Sequence, residues 1–188
     1  MKIKPEVLLS SKENIVFNKI LVTGSDEPFI RYIKNFIIEE YKKRGFFVDF
    51  SNSYNAGLVG SLFSENKTLF VLTDFPTNKE INPLNSNDQS ILVALPNGKK
   101  TNTIKSAIVK QKDTLVVECY LLSRTSKENT LKNYIENSNI TLSNDVFWYV
   151  VENFDNSYVV FIKQLQMLSL FNKKIDLISD VEKITFID

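Results

Sequence analysis

Histidine is absent from this chain. Its absence removes Ser-His and Cys-His nucleophile pairs and nearly all zinc sites, because imidazole is the side chain that titrates near neutrality and the commonest metal ligand. Cysteine occurs once, as Cys119, so no intramolecular disulfide can form and a reducing compartment suits the chain best. Neither sign of charge dominates: 23 basic and 22 acidic residues leave a net charge of +1, which sets up no global field for nucleic acid or anionic lipid. Any DNA contact would be local. No apolar run approaches membrane-spanning length, and Met1-Lys2-Ile3-Lys4 runs into Pro5 without a signal-peptide pattern. Together these absences predict a soluble, cytoplasmic protein that binds no membrane.

What is present is apolar patterning. A hydrophobic content of 43% beside 24% charged residues is that of a folded chain, and 188 residues suffice for one good-sized domain or a medium one plus a small one. The first part alternates apolar strands with helical patterns, which predicts a sheet layered with helices. The strands are Ile20–Thr23, Phe46–Phe50, Leu69–Leu72, Ile91–Leu95 and Leu115–Cys119. A helix follows the first strand, with Ser25 as its N-cap, Asp26, Glu27 and Pro28 in its first turn, and Gly45 at its end. Its apolar face is Phe29, Ile30, Ile33, Phe36, Ile37 and Tyr41. Further helices are expected near 55–62 and, rich in lysine, near 100–111. After Cys119 the pattern becomes helical, near 127–138, 143–154 and 157–171, with a short turn at 179–183. The aromatic run Phe147-Trp148-Tyr149 reads as helix core, and Val160, Ile162, Leu165, Leu168 and Leu170 as a broad apolar surface. An α/β domain over 1–121 and an all-helical domain over 122–188 result.

A layered α/β domain invites a search for a phosphate loop, and the pattern G-x-x-x-x-G-K-[ST] fails twice. Before Lys67-Thr68 the required glycines would be residues 61 and 66, which are Ser61 and Asn66. Before Lys99 the first would be Val93, and no hydroxyl residue follows. After the first strand stands Gly24-Ser25-Asp26-Glu27-Pro28, whose two carboxylates would repel a triphosphate. The acidic pairs Asp26/Glu27 and Glu39/Glu40 are better explained by helix capping and a solvated face than by magnesium. The lysines at 99, 100, 105, 110 and 112 are scattered around their helix with few aromatic partners, which favours solvation over a nucleic-acid track. No catalytic residue, metal or cofactor is expected.

One stretch stands apart: Ser61-Leu62-Phe63-Ser64, at a helix end just before the strand Leu69–Leu72. Leu58, Val59 and Leu62 can cover a sheet at helical spacing, while Phe63 lies next to Leu62 around the helix. Two readings follow. Leu62 is core and Phe63 folds over the helix end, which spacing alone favours, or the pair is displayed as an anchor for another protein's pocket.

Three stretches carry a family resemblance. They are Ile20–Ile30, with its apolar strand, glycine and acidic helix start; Ser61-Leu62-Phe63-Ser64 followed by Lys67-Thr68-Leu69-Phe70-Val71-Leu72; and Asn129–Ser143 with the Leu-rich Phe161–Leu170. In this order they resemble the delta subunit of the bacterial DNA polymerase III clamp loader, over its first two domains and without its collar domain. The resemblance implies an AAA+/RecA-like, mostly parallel sheet without a phosphate loop, then a small helical lid. It also implies no enzymatic activity of the chain's own, with ATP handled by neighbouring ATPase subunits beside a delta-prime-like one. Val59, Ser61, Leu62 and Phe63 would then bind the ring-shaped sliding clamp, Leu62 and Phe63 as a hydrophobic plug, and help open the ring. DNA would be touched only indirectly or weakly. Two alternatives accompany this reading: a free-standing clamp binder that unloads or sequesters the ring, and a phosphotransferase with an atypical nucleotide loop.

Overall fold

The computed structural model describes residues 1–10, 17–50, 67–74, 89–138, 140–171 and 174–185. Two compact units divide the chain, Met1–Cys119 and Tyr120–Asp188. The first is built on β1 (Lys2–Ile3), β2 (Lys19–Gly24), β3 (Phe47–Asp49), β4 (Thr68–Leu72), β5 (Gln89–Pro96) and β6 (Thr114–Cys119). These form one sheet in the order β1-β6-β2-β5-β4-β3, parallel at every pairing. Parallel sheets are covered on both faces, so their central strands are apolar throughout instead of alternating. That is why Ile20-Leu21-Val22, Ile91-Leu92-Val93 and Leu115-Val116-Val117 are buried without a break. All five strands expected from the pattern are present. The strand β1 and the following helix α1 (Pro5–Ser10) were not expected. Two residues are too few to show a period, and β1 is recognisable only by its pairing, Lys2 with Val116 and Ile3 with Val117.

Parallel neighbours need crossovers, and α2 (Glu27–Lys43) supplies the one after β2. Phe29, Ile30, Ile33, Ile37, Ile38 and Tyr41 are its buried residues; Phe36, placed on that face by spacing, is only half-buried. The N-cap is Asp26 and not Ser25, because the Asp26 side chain accepts the Phe29 amide from the extended backbone a cap requires. At the other end Gly45 takes a left-handed φ of 79°. Its amide donates to the Lys42 carbonyl at 2.9 Å and that of Phe46 to the Tyr41 carbonyl at 3.1 Å, while the Phe46 and Tyr41 rings meet edge-on at 4.8 Å. This is the Schellman closure, with its apolar contact across the helix end. The Tyr41 hydroxyl also donates to the Phe17 carbonyl and accepts the Phe17 amide, each at 2.9 Å, tying the helix to the start of β2. Helix α3 (Lys99–Ile108) bridges β5 and β6.

The second unit holds α4 (Arg124–Ser138), β7 (Thr141–Leu142), α5 (Asn144–Asn153), α6 (Tyr158–Phe171), β8 (Lys174–Ile175) and α7 (Ile178–Thr185). Its first three helices match the expected order, but the short turn expected at 179–183 is the helix α7, and the unit is not wholly helical: β7 and β8 pair in parallel through Thr141 with Lys174 and Leu142 with Ile175. The core gathers Leu131, Val146, Val150, Val151, Phe154, Phe161, Leu165 and Leu168. Within α5 the buried positions are valines, so Phe147, Trp148 and Tyr149 pack half-buried along its flank and do not form the core. Within α6 the expected face is corrected likewise. Phe161, Leu165 and Leu168 point inward at helical spacing, while Leu170 is 85% exposed because it lies two residues past Leu168, off that stripe.

Lys127 is a further surprise. It is only 3% exposed, and its ammonium donates to the carbonyls of Val151 at 3.2 Å and Phe154 at 2.5 Å, at the C-terminal end of α5. Burial pulls its pKa down, against the opposing pull of Asp155 and Glu152. The cation takes up carbonyls that the helix end leaves open.

Candidate functional site at the carboxyl edge of the sheet

In an open parallel sheet, ligands settle outside the carboxyl ends of the strands, where the chain leaves neighbouring strands in opposite directions. Here that place is the end of β2, between β5 and β6. The chain's own groups fill it. Gly24, at φ 154°, lies so close to the Cys119 backbone that any Cβ would overlap the Cys119 carbonyl. The Asp26 amide donates to that carbonyl at 3.1 Å, and the Asn97 amide donates to the Gly24 carbonyl at 2.9 Å. The Thr23 hydroxyl donates to the Asn97 side-chain oxygen at 3.2 Å. The decisive group is Asp26. Only 1% exposed, its carboxylate accepts the Phe29 amide at 3.1 Å, where a bound phosphate would collect the free amides of the helix N-terminus. An anion entering there would meet a fixed negative charge.

The flanking groups are equally committed. Burial, with help from the charges of Asp26 and Glu6, pushes the Cys119 thiol up to about 12, so almost no thiolate exists at neutral pH. Asp74, past the end of β4, is ion-paired with Lys100. The Glu118 carboxylate on β6 is buried between Lys2 and Lys105. Burial alone would raise its pKa; hydrogen bonds from Lys105 and Lys2 outweigh that and hold it below the usual carboxylate range. Among the described residues no group of three His, Cys, Asp or Glu is placed to hold a metal, and no described helix is long and apolar enough to cross a membrane. Glu39 and Glu40 pair with Lys42 and Lys43 on the exposed face of α2.

Val59, Ser61, Leu62 and Phe63 lie outside the described residues. The strands on either side of them are described. The segment 51–66 leaves from β3 and returns to β4, which are neighbours, with the Phe47 amide donating to the Lys67 carbonyl at 2.8 Å. Among the described residues β3 is one of the two edge strands of the sheet, and it carries two aromatics facing solvent: Phe47 is 65% exposed and Phe50, just past its end, 64%. Apolar content placed both in a strand; only the strand order tells that this strand is an edge.

This architecture has been seen before. A solved structure titled Bacillus subtilis DNA clamp loader delta protein superposes on it with a TM-score of 0.55 over 97% of the present chain, at 12% sequence identity. The fold is that of a clamp-loader delta protein. The chain spans 61% of the length of that delta protein. AMPPCP-bound DnaA from Aquifex aeolicus is also similar, with a TM-score of 0.48 at 19% identity over 88% of this chain and 60% of its own. A replication initiator DnaA bound to AMPPCP and single-stranded DNA gives 0.46 at 19% identity, over 84% and 56%. No family model and no curated protein matches the sequence. The delta-type fold thus accounts for the parallel sheet and the helical unit after it.

Proposed function

We propose that this chain is a delta-like subunit of a cytoplasmic clamp loader, which binds the ring-shaped sliding clamp and helps open it for loading onto DNA. One observation carries the reading: along 97% of its length the chain has the fold of a clamp loader delta protein. The Asp26-capped turn at the end of β2 supports a subunit that hydrolyses nothing itself, since the amides a nucleotide phosphate would need are taken. ATP turnover then belongs to partner subunits, and DNA contact is indirect. Leu62 and Phe63 enter an apolar pocket on the clamp, with Val59 and Ser61 at its rim. No bond is made or broken. The subunit shifts the ring toward an opened interface by binding that state more tightly, and the shift can be no larger than the difference in affinity between the two states.

The experiment is equilibrium binding of the chain to the sliding clamp of its own source. Leu62→Ala/Phe63→Ala should weaken binding by about 30-fold or more, the loss expected when two central apolar anchors are truncated. A double variant that binds as tightly as the parent refutes the plug. Co-purification separates a loader subunit from a free-standing clamp binder, because only the former brings ATPase subunits with it.

A further inference from the structure

An asparagine followed by glycine is chemically labile, because the backbone nitrogen of the second residue can attack the side-chain amide of the first when no Cβ crowds its approach. The pair occurs once in the chain, at Asn97-Gly98, in the turn from β5 to α3. Glycine answers no structural need there. Gly98 has a φ of −174°, extended backbone that any residue adopts, and a Cβ placed on it would meet nothing within 4 Å. Both residues are exposed, and among the described residues neither the Gly98 amide nor the Asn97 side-chain nitrogen has a hydrogen-bond partner. The nucleophile and the leaving group are thus open to water. The electrophile between them is held: the Asn97 amide donates to the Gly24 carbonyl at 2.9 Å, and the hydroxyl of the buried Thr23 donates to Asn97 Oδ1 at 3.2 Å. A donor on that oxygen stabilises the negative charge it gathers as the amide carbon is attacked.

We propose that Asn97-Gly98 is a site of spontaneous covalent modification, at which the Gly98 nitrogen closes on the Asn97 side chain while Thr23 polarises its carbonyl. The nitrogen gives up its proton and bonds to Asn97 Cγ; the Cγ–Nδ2 bond breaks, Nδ2 leaves as ammonia, and a cyclic imide remains. Water then opens the imide. Addition at Cγ gives aspartate, and addition at the backbone carbonyl carbon gives isoaspartate, in which the chain runs on through the side chain. Either way an amide and water become a carboxylate and ammonium, and a negative charge appears at the start of α3. That helix is suited to receive it: its first turn holds Lys99 and Lys100 and no acid, and its N-cap, Gly98, supplies no side-chain hydrogen bond. The modified carboxyl edge of the sheet then carries a second acid besides Asp26, on a residue bonded to Gly24.

The test incubates the folded full chain in mildly alkaline buffer, below its melting transition, and follows residue 97 by peptide mapping with mass spectrometry, which separates asparagine, aspartate and isoaspartate. Parent, Gly98→Ala, Thr23→Val and Thr23→Ser are compared, with thermal melting of each. Both products should accumulate in the parent, faster as pH rises because the attacking nitrogen must lose its proton. Gly98→Ala should melt with the parent and form them at least about 10-fold more slowly, the added methyl raising the barrier to attack. Thr23→Val should slow the reaction about 3- to 10-fold, the worth of one neutral hydrogen bond in a barrier, and Thr23→Ser, which keeps the hydroxyl, should restore the parent's rate. A parent that keeps its asparagine, or a Gly98→Ala chain that loses it as fast as the parent, overturns the site. A Thr23→Val chain that reacts at the parent's rate or faster overturns the part assigned to Thr23 and leaves the site standing.

Discussion

Asp26 concentrates at one residue what separates this turn from a phosphate cradle. It is at once the helix N-cap, the donor to the Cys119 carbonyl through its amide, and a negative charge where an anion would sit. Asp26→Ala removes the cap and leaves the buried Phe29 amide without its acceptor, so it should cost about 1–2 kcal/mol, read as a lower urea midpoint at constant slope. An unchanged midpoint would mean that the cap contributes nothing to the fold. The acids after β2 were legible in the sequence, and so was their hostility to phosphate. Which of them is the cap was not, because Ser25 and Asp26 both suit that position and only the backbone path toward Cys119 decides between them.

At the scale of elements, Glu118 fastens three pieces, since it stands on β6 and receives Lys2 from β1 and Lys105 from α3. Its folded pKa lies below its unfolded one, so the stability it contributes is present above the unfolded value and is lost as pH falls through the folded value. Glu118→Gln should therefore cost about 1–3 kcal/mol at pH 7, in the range of a charged hydrogen bond, and much less in acid, once pH has fallen through the lowered pKa and the parent's carboxylate is itself protonated. Urea titrations of parent and variant at neutral and acid pH check this; a difference that does not shrink in acid would assign the cost to packing. None of this trio is visible in a linear reading, as the partners come from residues 2, 105 and 118. The five apolar strands were visible because central strands of a parallel sheet carry long apolar runs. Edge position left no such mark: Phe46 to Phe50 looks as apolar as the buried strands, yet Phe47 and Phe50 face water. In α6, Leu170 belongs to the same Leu-rich run as Leu168 and still lies outside the core, because helical phase and not composition selects the buried side.

For the molecule as a whole, the second unit has its own apolar cluster, drawn from α4, α5 and α6 with Ile175 and Val181. A unit with its own core is able to fold by itself. The fragment Tyr120–Asp188 should therefore give a helical far-UV spectrum and a cooperative melt, at lower stability than larger domains because so short a chain buries a smaller share of its surface. A fragment without cooperative unfolding would show that this cluster does not fold by itself. The change from strands to helices after Cys119 was readable from the sequence, whereas β7 and β8 were not, being two residues each and recognisable only once paired.

The guanidinium of Arg124 lies 5.1 Å from the centre of the Trp148 ring and donates to Glu152 at 2.6 Å, all three within the second unit. Trp148 is also the only tryptophan in the chain. Light absorbed at the red edge of the ultraviolet band is therefore re-emitted from one known address, so tryptophan emission follows the helical unit alone while circular dichroism sums over both. Two ordinary instruments on one sample then distinguish a chain that comes apart in a single step from one whose halves let go separately.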